Sequence, residues 1–259
     1  MTTNSPRTLA IDIGGTHIKA AILGPRGALL APPIRRATPD PATPKAVLRA
    51  IAALAARLPA YDRISAGFPG YIRAGRVQTA PNLGTPAWRG FRLDVALARR
   101  LKKPARVLND ADVQGLGVID RRGLECVLTL GTGIGSALFL DGKLLPHLEL
   151  GQHPVAKHET YDAYLGDAAL KEAGRRRWNR RLRKVIEIVR TLTNFDTLHL
   201  GGGNARVIDF TLPPHVRIGL NLDGLTGGFH LWDAALDGYF RRRGGRGKRA
   251  GTRLRRPAR

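Results

Sequence analysis

Apolar residues in this chain come in short blocks that end at glycine. Residues 8–30, TLAIDIGGTHIKAAILGPRGALL, read as a strand, a glycine turn, a strand, a second tight turn and a third strand. Residues 125–145, ECVLTLGTGIGSALFLDGKLL, repeat that order. With Gly14 laid on Gly131, an offset of 117, the apolar strands on both sides of the glycines coincide. The duplication predicts two similar domains with one glycine turn each. Two such turns facing across a cleft can hold one anion from both sides.

Between and after the repeats the pattern is mixed α/β. Residues 43–58 predict an amphipathic helix, with Thr43 as cap and Pro44 at its first position. A strand is expected over 63–70, a short helix over 93–101, and a strand over 105–110 that ends in two polar residues. A helix then starts at 110. In the second half a long helix over 166–192 precedes a strand at 196–200. GGGNARVI at 201–208 turns into a helix start, 216–220 is a strand, and 227–240 a final helix. The expected division is 1–108, 109–240 (its last helix packing back on the first domain) and a basic tail, 241–259.

Composition adds a strong charge. Lys and Arg number 43 against 20 Asp and Glu, a formal net charge of +23 over 259 residues. A polyanion is the natural partner: nucleic acid, an anionic membrane or polyphosphate. The single cysteine, Cys126, excludes an internal disulfide and a cysteine-based zinc site. No apolar run reaches the ~18 residues of a membrane span, and no signal-peptide core opens the chain, so a cytoplasmic protein is expected. The tail reads RRRGGRGKRAGTRLRRPAR, with no acid and little to bury, as expected of a disordered arm. A second block, KEAGRRRWNRRLRK at 171–184, lies inside the long helical pattern. Its cations, Arg175, Arg176, Arg177, Arg180, Arg181, Arg183 and Lys184, form either a solvated face or a track for a polyanion.

The glycine turns suggest phosphate chemistry. Asp12, Gly14, Gly15 and Thr16, with Lys19, follow the first strand. Glycines let backbone N–H groups approach a phosphate, Thr16 adds a hydroxyl, Lys19 offsets charge and Asp12 can orient hydrated Mg²⁺. A plain hairpin is the alternative. Gly131, Thr132, Gly133 and Gly135 superficially resemble a dinucleotide-binding run. That turn must open a helix, however, and here a strand resumes, so NAD is excluded. The Walker pattern is absent. Gly201, Gly202, Gly203 and Asn204 can bring backbone against a nucleotide or distal phosphate, or simply join strand to helix.

Asp110 ends a strand beside the expected cleft, where a carboxylate can accept a hydroxyl proton or cap the next helix. Asn82 and Glu149 can bind the hydroxyls of a polyol, or form a turn and an exposed acid. His17 is expected to point outward. Trp88, Trp178 and Trp232 are expected to pack, with a polyanion groove as the alternative for Trp178.

Taken together, DIGGTHIKAA, GFPG, APNLG, NDA, LTLGTGIGSALFLDG, LELG and LHLGGGNA resemble the sugar kinases of the ROK family, most closely their polyphosphate glucokinase branch. The resemblance runs from about 8 to 240. It implies a duplicated, actin-like (ribonuclease H-like) two-domain α/β fold with an interdomain cleft. It implies Asp110 as catalytic base and Asn82, Asn109 and Glu149 as glucose contacts. The turns at 12–16 and 131–135 become phosphate loops, and 201–204 the adenosine or distal phosphate loop. Many members place a histidine directly after ELG, then a zinc-binding cysteine cluster. Here Gln152 follows and His153 comes one later, so Gln152, His153 and Glu159 are the candidate sugar contacts from this stretch. Mg²⁺ is expected and zinc is not; His147, His153 and His158 form the rival zinc site. The family's repressors carry an N-terminal DNA-binding helix pair, and about seven residues precede the first strand here. The expected activity is phosphoryl transfer from polyphosphate to glucose O6 by a homodimer. ATP as donor, mannose as acceptor, or a non-enzymatic nucleic-acid binder acting through the tail are the alternatives. No membrane partner is expected.

Overall fold

The first half of the chain builds one sheet and its covering helices. β1 (Thr8–Ile13) and β2 (His17–Leu23) form an antiparallel pair, followed by β3 (Ile34–Ala37), α1 (Pro44–Ala55) and β4 (Arg63–Phe68). A small hairpin, β5 (Ile72–Arg73) and β6 (Arg76–Val77), leads to one turn of helix, α2 (Thr85–Trp88), and to α3 (Leu93–Leu101). β7 (Ala105–Asn109) then runs directly into α4 (Asp110–Val118). The second half continues with β8 (Leu124–Leu130), β9 (Ile134–Leu140) and β10 (Lys143–Leu144). A second hairpin, β11 (Pro154–Ala156) and β12 (Glu159–Thr160), precedes α5 (Tyr161–Leu165) and the long α6 (Asp167–Thr193). β13 (Thr197–Gly201), β14 (Val216–Ile218), α7 (Asp223–Thr226) and α8 (Asp237–Arg241) complete the order. This computed structural model describes residues 6–219 and 223–241. The basic tail from 242 onward, and Leu220 of the expected last strand, lie outside the described residues.

The duplication is visible in the topology. The two five-stranded sheets have the orders β3-β2-β1-β4-β7 and β10-β9-β8-β13-β14. In each, a glycine turn joins an antiparallel pair, and the leading strand of that pair runs parallel to the next strand inward. The result is an α/β fold with two similarly built mixed sheets.

Three apolar clusters hold it together. Leu9, Ile11 and Ile13 of β1 meet Val47, Ile51 and Leu54 of α1 and Leu97 of α3. Thr43 caps α1 through its Oγ1, which accepts from Ala46 N at 3.3 Å. Leu128 and Leu130 of β8 meet Trp178, Leu182, Val185 and Val189 of α6. Between the halves, Val113 and Leu116 of α4 pack on Leu108, Val127, Phe139 and Leu231. Burial of each such large side chain is worth about 1.5–3 kcal/mol, so α4 is fixed from both sheets at once.

The structure departs from the sequence reading in four places. The third strand of the first repeat is Ile34–Ala37; Leu29 contributes only an isolated bridge to Leu23. Pro32 and Pro33 lack the N–H that a ladder needs, which delays pairing. The long helix is broken at Gly174, whose φ of 71° is left-handed and suits glycine. The expected final helix is two 3-10 turns, Gly227–Trp232 and Ala234–Leu236, followed by α8. A Cβ at Gly227 would collide with the Val113 carbonyl, so this stretch gives up helix propensity for close packing on α4. Likewise 203–207 is only a 3-10 turn. The C-terminal segment lies against the first sheet: Ser65 Oγ donates to Gly228 O at 2.6 Å, and Arg106 pairs with Asp237 at 2.7 Å.

Candidate active site

Both glycine turns open into one cavity of about 540 Å³. The first turn contributes Gly14 and Gly15, with Asp12 before it and Lys19 after it. The second contributes Gly131, Thr132, Gly133 and Gly135. Asp12 and Lys19 face each other across the β1–β2 register, and Lys19 Nζ lies 3.5 Å from Asp12 Oδ2. Asn82 also lines the cavity and touches the first turn, since a Cβ at Gly15 would lie 3.3 Å from its own Cβ.

Asn109 and Asp110 sit where β7 becomes α4. Asn109, not Asp110, caps the helix: its Oδ1 accepts from Ala111 N at 2.8 Å and Asp112 N at 3.3 Å. Its Nδ2 donates to Gly70 O at 3.2 Å. The cap leaves the Asp110 carboxyl at the cavity wall, with Oδ1 accepting from Ala111 N at 2.9 Å. Burial, aided by the negative charge of Asp12, pushes Asp110 up to about 7. Such a carboxyl is poised to exchange a proton near neutral pH. Burial also raises Asp12, with Lys19 opposing.

Glu149 and Gln152 reach the same cavity from the loop after β10. Thr79 Oγ1 donates to Glu149 Oε1 at 2.6 Å, a link between the two halves of the chain. Gln152 Nε2 donates to Asp162 Oδ2 at 2.6 Å, while Asp162 Oδ1 accepts from Ile134 N at 2.6 Å. Gln152 thus braces the carboxylate that holds the second glycine turn. Gly202 and Gly203 line the cavity on the side of the second sheet.

Other predicted residues lie outside this lining. Thr16 is exposed, and its carbonyl accepts from Thr38 N. His153 is exposed beside Tyr161, and Glu159 lies 3.9 Å from Arg181. Gly201 ends β13, and Asn204 is buried, donating to Asp167 Oδ1 at 2.7 Å and to Gly131 O at 3.3 Å. The basic helix also stays off the cavity wall. Arg175 binds Val207 O and Asp209, Arg181 lies on Tyr164, and Arg183 on Phe210. Arg176, Arg177, Arg180 and Lys184 are exposed. With about 100° between residues, these four and Arg183 fall on the side opposite Trp178, Leu182, Val185 and Val189, which are buried. Trp178 packs and donates to Leu165 O, so it takes no part in a groove.

Sequence reasoning missed several wall residues. Arg35 pairs with Lys19 in the β2–β3 register, and Arg206 follows Gly202 and Gly203. Gln114, Asp162 and Thr129, whose Oγ1 accepts from Gly135 N at 3.1 Å, are the others with polar side chains. Arg206 was findable from its place after the glycines; Arg35 depended on a strand that shifted.

One group among the described residues can hold a metal ion: Asp120, Glu125 and His199. His147, His153 and His158 are not in it. The group is long-range, which a search for local clusters could not find. It lies at the start of β8, six residues before Gly131 and so roughly 20 Å from the cavity end of that strand. Its members are already paired: Glu125 accepts from Asp120 N and Arg122 N, and Arg217 binds Asp120. Among the described residues no helix is long and apolar enough to cross a membrane.

The two similarly built sheets share one cavity, lined by both glycine turns and by Asp110. The ROK family profile matches residues 8–159. The polyphosphate glucokinase of Mycobacterium leprae is 33% identical over 221 residues, covering 82% of this chain and 68% of its own. The inorganic polyphosphate/ATP-glucomannokinase of Arthrobacter sp. strain KM superposes with a TM-score of 0.79 at 32% identity, over 86% of this chain and 96% of that one. A ROK family glucokinase from Streptomyces griseus, in complex with glucose and AMPPNP, shares the fold, with a TM-score of 0.75 at 19% identity over 87% and 98% of the chains. This chain belongs to the ROK family, as a sugar kinase related to the polyphosphate glucokinase branch.

Proposed function

We propose that the chain transfers the terminal phosphoryl group of inorganic polyphosphate to glucose O6. The carrying observation is Asp110: a carboxyl pushed up to about 7, in one cavity with both glycine turns. In this reading Asp110 takes the O6 proton as the oxygen attacks the terminal phosphorus. The bridging P–O bond breaks, and polyphosphate leaves shorter by one unit. Backbone N–H groups of Gly15, Thr132 and Gly133 meet the charge that builds on the transferred group, while Gly14 N donates to His17 O and Gly131 N to Gly133 O to hold the two turns. Asn82, Asn109, Glu149 and Gln152 orient the sugar. His153 and Glu159, off the wall, are the weaker candidates. Two acids in the cavity, Asp12 and Asp110, suit a divalent cation, and Asp12 is the residue assigned to it. Mg²⁺ bound there through water would neutralise donor charge.

The donor assignment draws on two relatives whose names specify polyphosphate and on the exposed cations of α6. ATP is the second reading, favoured by Gly202, Gly203 and Arg206 in the cavity wall and by the Arthrobacter relative, whose name gives both donors. The test is direct: purified protein, Mg²⁺ and glucose or mannose, with polyphosphate or ATP, and the sugar phosphate measured. Product with ATP alone would remove the polyphosphate reading; no product with either donor would remove the kinase reading.

A further inference from the structure

Gln114 is a buried amide side chain that the mechanism above leaves unused. It is 8% exposed, and it forms part of the cavity wall. It follows Asp110 by one turn of α4, so the two side chains leave the helix on the same side, about 6 Å apart along its axis. The other flanks of this turn are apolar, with Val113 and Leu116 packed between the two sheets.

The polar side chains around it are committed to protein partners. Asn109 caps α4 and donates to Gly70 O. Gln152 donates to Asp162. Asn204 donates to Asp167 and to Gly131 O, and Thr129 Oγ1 accepts from Gly135 N. The Gln114 amide has no hydrogen-bond partner among the described residues. A polar group this deep is costly unless something meets it. Methionine has the same length and would fill the space without that cost, so packing alone does not account for glutamine here.

The amide faces the donor side of the cavity. A Cβ at Gly201 would lie 2.2 Å from Gln114 Nε2, which puts the amide against the end of β13 in the second sheet. Gly202 and Gly203 follow in the cavity wall, with Arg206 after them. Gly202 packs in turn on the end of β8, where the second glycine turn begins: a Cβ there would lie 2.3 Å from Leu130 O. Asp110 stands on the other side. A Cβ at Gly67 of β4, in the first sheet, would lie 3.2 Å from the Asp110 Cα. One side of α4 therefore presents a carboxyl next to the first sheet and an amide next to the second.

In phosphoryl transfer the acceptor oxygen, the phosphorus and the leaving oxygen lie roughly in line. A group across the cavity from the base meets the leaving end. When the P–O bond breaks, its electron pair stays on an oxygen of the penultimate phosphate. An uncharged N–H donor holds that phosphate without the repulsion a carboxylate would add.

We propose that Gln114 is a donor-binding residue: its amide N–H group holds an oxygen of the penultimate phosphate, which becomes the end of the shortened donor. This rests on the kinase reading above, with the donor lying between the 131–135 turn and 201–203. ATP and polyphosphate both carry a penultimate phosphate, so Gln114 serves either donor, unlike the exposed cations of α6.

The test uses the full chain and two variants of unchanged side-chain length. Gln114→Met removes the amide, and Gln114→Glu replaces its donor with a negative charge. Circular dichroism checks the fold. Calorimetry measures tripolyphosphate binding with Mg²⁺, and a glucose analogue lacking the O6 hydroxyl fills the sugar site so that no phosphate is transferred. Gln114→Met should bind tripolyphosphate roughly 10–100-fold more weakly than the parent, and Gln114→Glu more weakly still, with the analogue's Kd within about twofold. Steady-state kcat/KM should fall by the same factor with ATP and with polyphosphate. In the parent, the NMR signal of the Gln114 side-chain amide, assigned by its loss in Gln114→Met, should shift when tripolyphosphate is added. A folded Gln114→Met that binds tripolyphosphate as the parent does, or an amide signal that does not move, overturns the proposal. So does equal weakening of tripolyphosphate and the sugar analogue, which would make Gln114 a packing residue. If a variant does not fold, the amide signal of the parent, assigned from its bonds to the backbone, decides alone. If that signal moves but the parent transfers no phosphate, the kinase reading fails and the phosphate contact stands.

Discussion

Thr79 and Glu149 are joined by a 2.6 Å hydrogen bond from the threonine hydroxyl to the carboxylate, one residue from each half of the chain. Thr79 Oγ1 also accepts from Tyr71 N at 2.9 Å, so Glu149 is aimed by a side chain that is itself fixed to backbone. Thr79→Val keeps the shape and removes the donor. Glucose KM should rise by roughly 3–10-fold, the effect of about 1 kcal/mol for one hydrogen bond, while donor KM stays unchanged. An unchanged glucose KM would detach Glu149 from the sugar.

Asp110→Asn should lower turnover by roughly 10²–10⁴-fold and leave glucose Kd within a few-fold, as measured by calorimetry. In the parent, activity should fall as pH drops through about 7, where Asp110 gains its proton. Residual activity in the variant should lack that limb. Turnover within twofold of the parent would remove Asp110 from the base role.

The same substitution should stabilise the protein. Asp110 is raised from 3.8 to about 7 in the fold, chiefly by burial. Between those values the folded state binds more protons than the unfolded state, so stability falls as pH rises through that window. Asp110→Asn escapes this loss. Its Tm should exceed that of the parent at pH 8, and the two should converge near pH 4. Equal Tm values at both pH values would contradict the raised carboxyl.

Gly133→Val should impair donor use more than glucose binding. A Cβ at Gly133 would lie 2.8 Å from Asp162 Oδ1, the atom that accepts from Ile134 N. Steady-state kinetics should show a higher donor KM; equal donor KM values would move the donor away from this turn.

Neutralising Arg176, Arg180 and Lys184 together tests the α6 track. Long polyphosphate carries charge along a line and releases counterions on binding, by analogy with other polyanions. Its KM should rise steeply, with ATP and very short chains affected much less, and salt should weaken the parent more than the variant. Equal losses for ATP and polyphosphate would leave these cations as a solvated face.

The local pattern of this chain carried the strands, the duplication, the two glycine turns and Asp110 at a strand end. Each depends on neighbours a few residues away, through alternation, turn chemistry and capping, and short-range sequence reports those directly. The reading failed where distant packing overrode local preference. Gly227 and Gly228 lie in a helical-looking stretch, yet their closeness to Val113 and Ser65 turns it into 3-10 segments. Arg35 reached the cavity only because β3 begins after Pro33. His147 looked like one of three loop histidines until Asp112 and Tyr71 enclosed it, and Glu125 and His199 met across neighbouring strands. Such meetings are fixed by how two sheets bury α4 between them. A periodicity that says which face is apolar does not say which distant charge that face will meet.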